Sequence, residues 1–252
     1  MELVILSGGA AAGVVKGLQK DFEELHQCTI HATFNAVGAM REQLLQGSYC
    51  DLIILTKSQI LQLIESGHVI KDSEISLGIV KTGVAVKSGS PKPPIKTRAE
   101  LLTAFRNAKG IYFPDPEKAT AGIHVMHVLK SLGLDQEIAD RFRTYPNGAV
   151  AMAAMAACNE DQLIGSTQVT EINITPGTEL VGNLPLEFEL ATDYTLGICS
   201  NSQQKDLAQL FSNSLTGKAS VVIRKKIGFE FISNFIFLYS RFFFHFSRKL
   251  FV

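Results

Sequence analysis

Residues 2–35 read ELVILSGGAAAGVVKGLQKDFEELHQCTIHATFN. An apolar β-like run, Leu3–Leu6, gives way to a turn of small residues, then to helical periodicity as far as His26, then to a second β-like run, Thr29–Phe34. A strand, a helix and a strand in that order pair in parallel, because the crossover carries the chain back to the end of the sheet where it began. The alternation continues outward with a helix at Val37–Gln46, a strand at Asp51–Leu55 and a helix at Lys57–Ser66. The first part of the chain is therefore a parallel α/β sheet with crossover helices.

A second block of the same kind opens with Val80–Lys87, ended by the loop Ser88-Gly-Ser-Pro-Lys-Pro-Pro94, whose three prolines cannot continue a strand ladder. Thr97 and Glu100 have the spacing of a capping box and start a helix. Strands follow at Gly110–Phe113, Arg143–Tyr145, Gln162–Gly165 and Glu179–Val181. Helices near Ala121–Leu132 and Ala149–Cys158, and a short one after Ser166, separate them. A β-run at Thr192–Ser200 and helices at about Gln203–Leu215 and Lys218–Lys226 complete two α/β lobes.

Composition narrows the function classes. With 252 residues and 46% hydrophobic content the chain buries a core, and 24 basic against 24 acidic residues leave no net field to draw it to nucleic acid or an anionic membrane. Cys28, Cys50, Cys158 and Cys199 show no Cys-x-x-Cys spacing and read as small buried residues. The chain starts directly as a strand, with no export signal in what is written, so a cytoplasmic location stays open. Residues 229–252 hold nine of the sixteen phenylalanines, which marks a boundary near Gly228 and an aromatic tail at 230–252. The uncharged run Phe231–Ser240 falls short of the ~20 residues that span a bilayer, so the tail reads as an appendage without function, a membrane-surface anchor being the alternative.

The chemistry gathers at small-residue turns between strand and helix: Ser7–Gly13, Phe34–Ala39, Ala119–Gly122 and Asn147–Val150. In an open α/β sheet such turns lie at the carboxyl ends of the strands, where bare N–H groups at helix starts favour anions. The glycine spacing of Gly8 to Gly13 matches a phosphate loop, but Val14 and Val15 stand where Lys and Ser/Thr would be needed. LSGGAAAG also resembles the oxyanion loop of patatin-type hydrolases, yet no serine sits in a Gly-x-Ser-x-Gly elbow. His124 and His127 lack further metal-ligand partners, and Asp115 and Glu117 beside prolines are explained by turn chemistry. No catalytic set is present, so a binding protein rather than an enzyme is expected.

The run DPEKATAGIHVMHVLKSLGL, residues 115–134, resembles the D-P-x-x-x-P-A-G…L-x-x-L-G segment of the molybdate-binding proteins of ABC transporters, within the type II periplasmic solute-binding superfamily. FNAVGAMREQLLQGSYCDLIILTKSQILQLIESGHV, residues 34–69, and the G-K-A…K-I-G-F run at 217–229 extend the resemblance over about residues 2–229. It implies a two-lobed fold: 1–79 with 195–229 as lobe 1, 80–194 as lobe 2, and Val80–Lys87 and Thr192–Ser200 as the two crossing strands. It implies a small anion (a molybdate-like oxyanion or a small carboxylate) closed between lobes that hinge at those strands, no cofactor, and a monomer serving an ABC-type permease in the periplasm. The implied ligand-binding residues are Ser7, Gly8, Gly9, Ala10, Ala36, Val37, Gly38, Thr120, Ala121, Gly122, Asn147, Gly148, Ala149, Thr167 and Gln168. Ala10 and Ala36-Val-Gly38 stand where the family has serine donors, Thr120 where it has proline, and Gln168 where it has tyrosine. Lost donors weaken the case for a desolvated dianion and favour a singly charged or partly organic anion. A cytoplasmic ligand sensor of the same fold, acting through a separate output partner, is the other expectation.

Overall fold

The computed structural model describes residues 1–231. The first third alternates as β1 (Glu2–Gly8), α1 (Ala12–His26), β2 (Thr29–Asn35), α2 (Val37–Leu45), β3 (Leu52–Thr56) and α3 (Lys57–Glu65). β1 is paired along both edges with parallel partners, β2 and β3, and residues of α1 and α2 share one core with it. Leu3, Ile5 and Leu6 are buried accordingly, and the strand reads as a continuous apolar run rather than an alternating one. α1 turns Val14, Val15 and Phe22 inward, and Phe22 meets Phe211 edge-on at 4.7 Å between ring centroids.

β4 (Ile75–Lys87) is the long element of the fold. Its residues 75–81 ladder antiparallel with β9 (Ala191–Ile198), which also pairs with β3. Residues 82–87 pair instead with β7 (Leu163–Gln168) and β8 (Thr178–Asn183). Around that second half lie α4 (Arg98–Asn107), β5 (Gly110–Pro114), α5 (Thr120–Ser131), β6 (Phe142–Tyr145), α6 (Gly148–Ala157) and α7 (Val169–Ile174). β5 runs parallel to both β6 and β7. The strand order is β2-β1-β3-β9-β4-β7-β5-β6, with β8 beside β4. α8 (Lys205–Thr216) and α9 (Val221–Ile227) return to the first half, where α8 packs on α1.

The change of partners places one passage between the halves in β4, within the stretch expected from the sequence. The return runs just ahead of the expected Thr192–Ser200: Leu184 donates its N–H to the Thr82 carbonyl (3.1 Å), Thr82 donates to Leu190 (3.1 Å), and β9 proper belongs to the first half. Each half has its own apolar core, one around Leu52–Leu55 and Phe211, the other around Phe105, Phe113 and Leu129. Cys28, Cys50 and Cys199 are buried in the first, and Cys158 is half-buried beside a smaller cluster at Met152 and Met155. α4 starts at the expected capping box, Glu100 donating its N–H to Thr97 Oγ1 (3.3 Å) and Thr97 donating to Glu100 Oε2 (3.1 Å).

The boundary near Gly228 needs correction, because the first two residues assigned to the tail belong to the fold. Glu230 exchanges both backbone hydrogen bonds with Ile79 (2.7 and 2.8 Å), and its carboxylate lies 3.5 Å from Lys81 Nζ. Phe231 packs against the first core under the Arg224 guanidinium, 4.6 Å from the ring centroid. Gly78 makes this docking feasible: at φ +129° it bulges β4, and a Cβ there would sit 2.9 Å from the Glu230 carbonyl oxygen. The rest of the aromatic tail, 232–252, lies outside the described residues.

Candidate functional site

The turns that follow β1, β2, β5 and β6 converge with the end of β7 on one cleft between the two halves. The first turn contributes Gly9 and Ala10, the second Asn35, Ala36 and Val37, the third Pro114, Ala119, Thr120 and Ala121, and the fourth Asn147 and Gly148. Gln168, Glu171 and Tyr194 complete the lining, which contains no Lys, Arg or His. The free space among these groups is about 20 Å³, room for a single water molecule, so the halves are drawn close on one another. At the rim Gly38 donates its N–H to the Lys118 carbonyl (3.2 Å), and Lys118 Nζ lies 3.0 Å from Glu42.

Helix starts without side-chain caps aim at this space, although at α2 the Ala36 N–H is taken by Asn35 Oδ1 (2.9 Å) and the Gly38 N–H by the Lys118 carbonyl. No side chain caps the 3-10 turn Gly9–Ala11 that leads into α1, nor α2, nor α5. Thr56 caps α3 and Thr97 caps α4, while α7, α8 and α9 also start without a side-chain cap. α6 is capped by Asn147, whose Oδ1 accepts from Val150 N (2.9 Å). Uncapped N–H groups and the partial positive charge of helix N-termini are the elements of an anion site.

One carboxylate already stands there. Glu171, 4% exposed, accepts the Thr167 hydroxyl (2.6 Å). Burial pushes its carboxyl above the usual carboxylate range, while the Thr167 hydroxyl and the backbone N–H groups of Ala149, Gly148 and Gln168 draw it the other way. Two glycines make the room: a Cβ on Gly9 would collide with Glu171 Oε1, and one on Gly148 with Thr167 Oγ1 and Glu171 Oε2. Tyr194 is buried beside them, its hydroxyl pushed well up first by burial and then by the nearby Glu171. Both amide atoms of Gln168 are buried in the lining beside the Tyr194 hydroxyl, and among the described residues neither meets a partner in full hydrogen-bond geometry.

Nine of the residues singled out from sequence line the cleft: Gly9, Ala10, Ala36, Val37, Thr120, Ala121, Asn147, Gly148 and Gln168. The other six stand behind it. Ser7 is fully buried and spends its hydroxyl on the Gly8 carbonyl (2.9 Å). Gly8 allows Val37 to approach, Gly38 faces the Lys118 carbonyl, and Gly122 packs on the carbonyls of Pro114 and Asp115. Thr167 and Ala149 turn their donors toward Glu171. Glu171, Tyr194 and Pro114 were not foreseen, and Asn35 and Ala119 belong to turns read from the sequence without being named as ligand-binding. A larger groove of about 900 Å³ lies elsewhere, between Gly89–Pro94, α4 and Asp161–Ile164, beside a helix that is already capped.

Among known proteins, the chain is 26% identical over 222 residues to an aconitate isomerase from a Pseudomonas species, covering 86% of this chain and 82% of that one. In fold it superposes on the periplasmic molybdate-binding protein of Azotobacter vinelandii with a TM-score of 0.76 at 18% identity, over 92% of this chain and all of the other. A sulfate-binding protein from Mycobacterium tuberculosis H37Rv gives 0.72 at 15% identity, over 93% and 88%. The profile of one family spans nearly the whole described chain, residues 3–230: the protein belongs to the bacterial extracellular solute-binding proteins.

Proposed function

We propose that the protein captures a small organic carboxylate between its two halves, as a monomer, and presents it to an ABC-type permease. On this reading the halves are the lobes expected at 1–79 with 195–229 and at 80–194, exchanging at Lys81/Thr82 and Leu190/Ala191, and the cleft opens about β4 to admit the ligand. The observation that carries it is the convergence of three uncapped helix starts on a closed cleft with no cationic lining. A carboxylate fits better than a tetrahedral dianion because the N–H groups at the start of α6 and the Thr167 hydroxyl already serve Glu171. A tetrahedral dianion would concentrate its whole charge beside Glu171 without those donors, whereas an organic carboxylate spreads its charge over separate groups, only one of which need lie there. Calorimetry of the full chain against molybdate, sulfate, citrate and trans-aconitate tests this. Carboxylates are expected to bind at least tenfold more tightly than either oxyanion, and nanomolar molybdate binding would refute the reading.

A second reading, an isomerase, is favoured by the same Glu171. The 26% identical relative is named an aconitate isomerase, and isomerising an unsaturated polycarboxylate by a proton shift requires one group that takes a proton from carbon and returns it to another. Glu171 is a buried carboxyl in the lining, with a proton affinity raised by desolvation, and it has that capacity. On this reading trans-aconitate incubated with the protein in heavy water gains deuterium on its methylene carbon and the cis isomer appears, both followed by proton NMR. Glu171→Gln stops both. An unchanged spectrum after long incubation leaves binding as the sole role.

A further inference from the structure

Glu171 is an odd occupant for an anion site. The fold keeps glycine at two positions to admit its carboxyl, gives it the Thr167 hydroxyl, and leaves it in the lining rather than behind it. The groups facing it are neutral on every side: Gly9 from the first turn, Gly148 and Ala149 from α6, Thr167 and Gln168 from β7, and the Tyr194 hydroxyl from β9. Charged side chains on the elements packed against α7 are engaged elsewhere or, like Asp21, Lys225 and Lys226, exposed. Lys16 lies over the Phe34 ring, Lys81 pairs with Glu189 and Glu230, and Glu179 pairs with Lys92. Lys87 holds the Cys158 and Glu160 carbonyls, and Arg224 those of Leu77 and Thr216.

A carboxylate ligand entering this space puts a second negative charge beside the first in a site without a cation. Two carboxyl groups that share a dry site do not both stay ionised; one of them holds a proton. Resting on the carboxylate reading above, we propose that the cleft takes up its anion together with a proton, held by Glu171, so that binding is coupled to pH. Burial already sets Glu171 toward its protonated form in the empty cleft, and the incoming charge moves it further in the same direction. Once protonated, Glu171 becomes a donor to the ligand, beside the amide of Gln168. The site then prefers ligands that both accept and donate hydrogen bonds.

The sign follows directly. A site that must be protonated to accept the anion is open to it at low pH and loses affinity as pH rises through the Glu171 titration. The test is calorimetric titration of the full chain with trans-aconitate from about pH 6 to 9, above the range where free carboxylic acids titrate. In the wild type Kd is expected to rise by up to tenfold per pH unit over part of that range, and in Glu171→Gln to stay flat. Heats measured at each pH in two buffers of different ionisation enthalpy give the protons taken up per ligand. That measurement needs no variant and is expected to approach one. A flat wild-type Kd with no proton uptake overturns the proposal while leaving the carboxylate reading intact, as does a slope that persists in Glu171→Gln. Absence of binding by trans-aconitate, citrate and other small carboxylates in the wild type overturns the carboxylate reading, and this inference with it.

Discussion

Replacing Gly148 with alanine is expected to weaken ligand binding a hundredfold or more and to lower the melting temperature. The added methyl group has nowhere to go. It meets Thr167 Oγ1, on a strand that is buried along its whole length, and Glu171 Oε2 at the same time. Either the start of α6 withdraws or the Glu171 side chain is expelled from its place between Gly9 and Gly148. Both outcomes separate a buried carboxyl from its donors, at a cost of about 3 kcal/mol. A fold of this size loses roughly 2–4 °C per kcal/mol, so a fall of about 6–12 °C is expected in a thermal melt. Calorimetry with a carboxylate that binds the wild type reads the other half of the effect, since a hundredfold change in Kd corresponds to about 2.7 kcal/mol. Wild-type melting and wild-type affinity together would show that the site accommodates a Cβ.

Arg224→Ala is expected to have the largest effect on stability without touching the cleft. The side chain is 4% exposed and pairs with no carboxylate among the described residues. Its guanidinium donates to the carbonyls of Leu77 (2.6 Å), Thr216 (2.7 Å) and Gly217 (3.3 Å) and to Ser220 Oγ (3.0 Å), and lies over the Phe231 ring. Burial lowers its pKa from the usual guanidinium value, the mark of a charge held by dipoles rather than by an ion pair. Truncation to alanine leaves these acceptors without their donor, opens a cavity, and loosens the bridge that ties Glu230 to Ile79. About 3–5 kcal/mol is expected, read as a shift of the urea midpoint without a change of slope. A loss below about 1 kcal/mol would mean that water takes over the donor's role. Affinity measured well below the melting point stays at the wild-type value.

The contrast between these two residues shows what was legible before the fold was known. Two-sided burial of β1 and β3 leaves apolar runs, and the bare turns after β1, β2, β5 and β6 leave Gly and Ala, so the strand-helix alternation and the position of the cleft could both be read. β4 was read from Val80 onward, because Ser76, Gly78 and Lys81 interrupt its pattern. The interruption is the bulge on which Glu230 docks. The orientation of β9 had no signal either, since a strand covered on both faces carries no alternation to distinguish its neighbours. In the cleft, Gly9 and Gly148 were singled out as ligand-binding residues, and the group that approaches both of them in the fold is Glu171. A single Glu in the run QVTEINI looks like any helix-surface residue, and Tyr194 looks like any core aromatic. Only the packing of α7 against α6 and the 3-10 turn at Gly9 turns that Glu inward. Ser7 failed for the opposite reason: its hydroxyl satisfies a backbone carbonyl within its own turn.

The contacts at the rim bear on timing rather than on strength. Gly38 and Lys118, with Glu42 beside them, hold the two halves together around a space too small for a solute. On the proposed reading these contacts part to admit a solute, and to the extent that they re-form around it they cancel from the equilibrium constant. They do not cancel from the rates. Entry and exit both wait for the same contacts to part, and each ~1.4 kcal/mol in them slows both about tenfold. Because exposed ion pairs are screened by salt, ionic strength becomes a control on how long a captured solute stays, with no change in how tightly it is held.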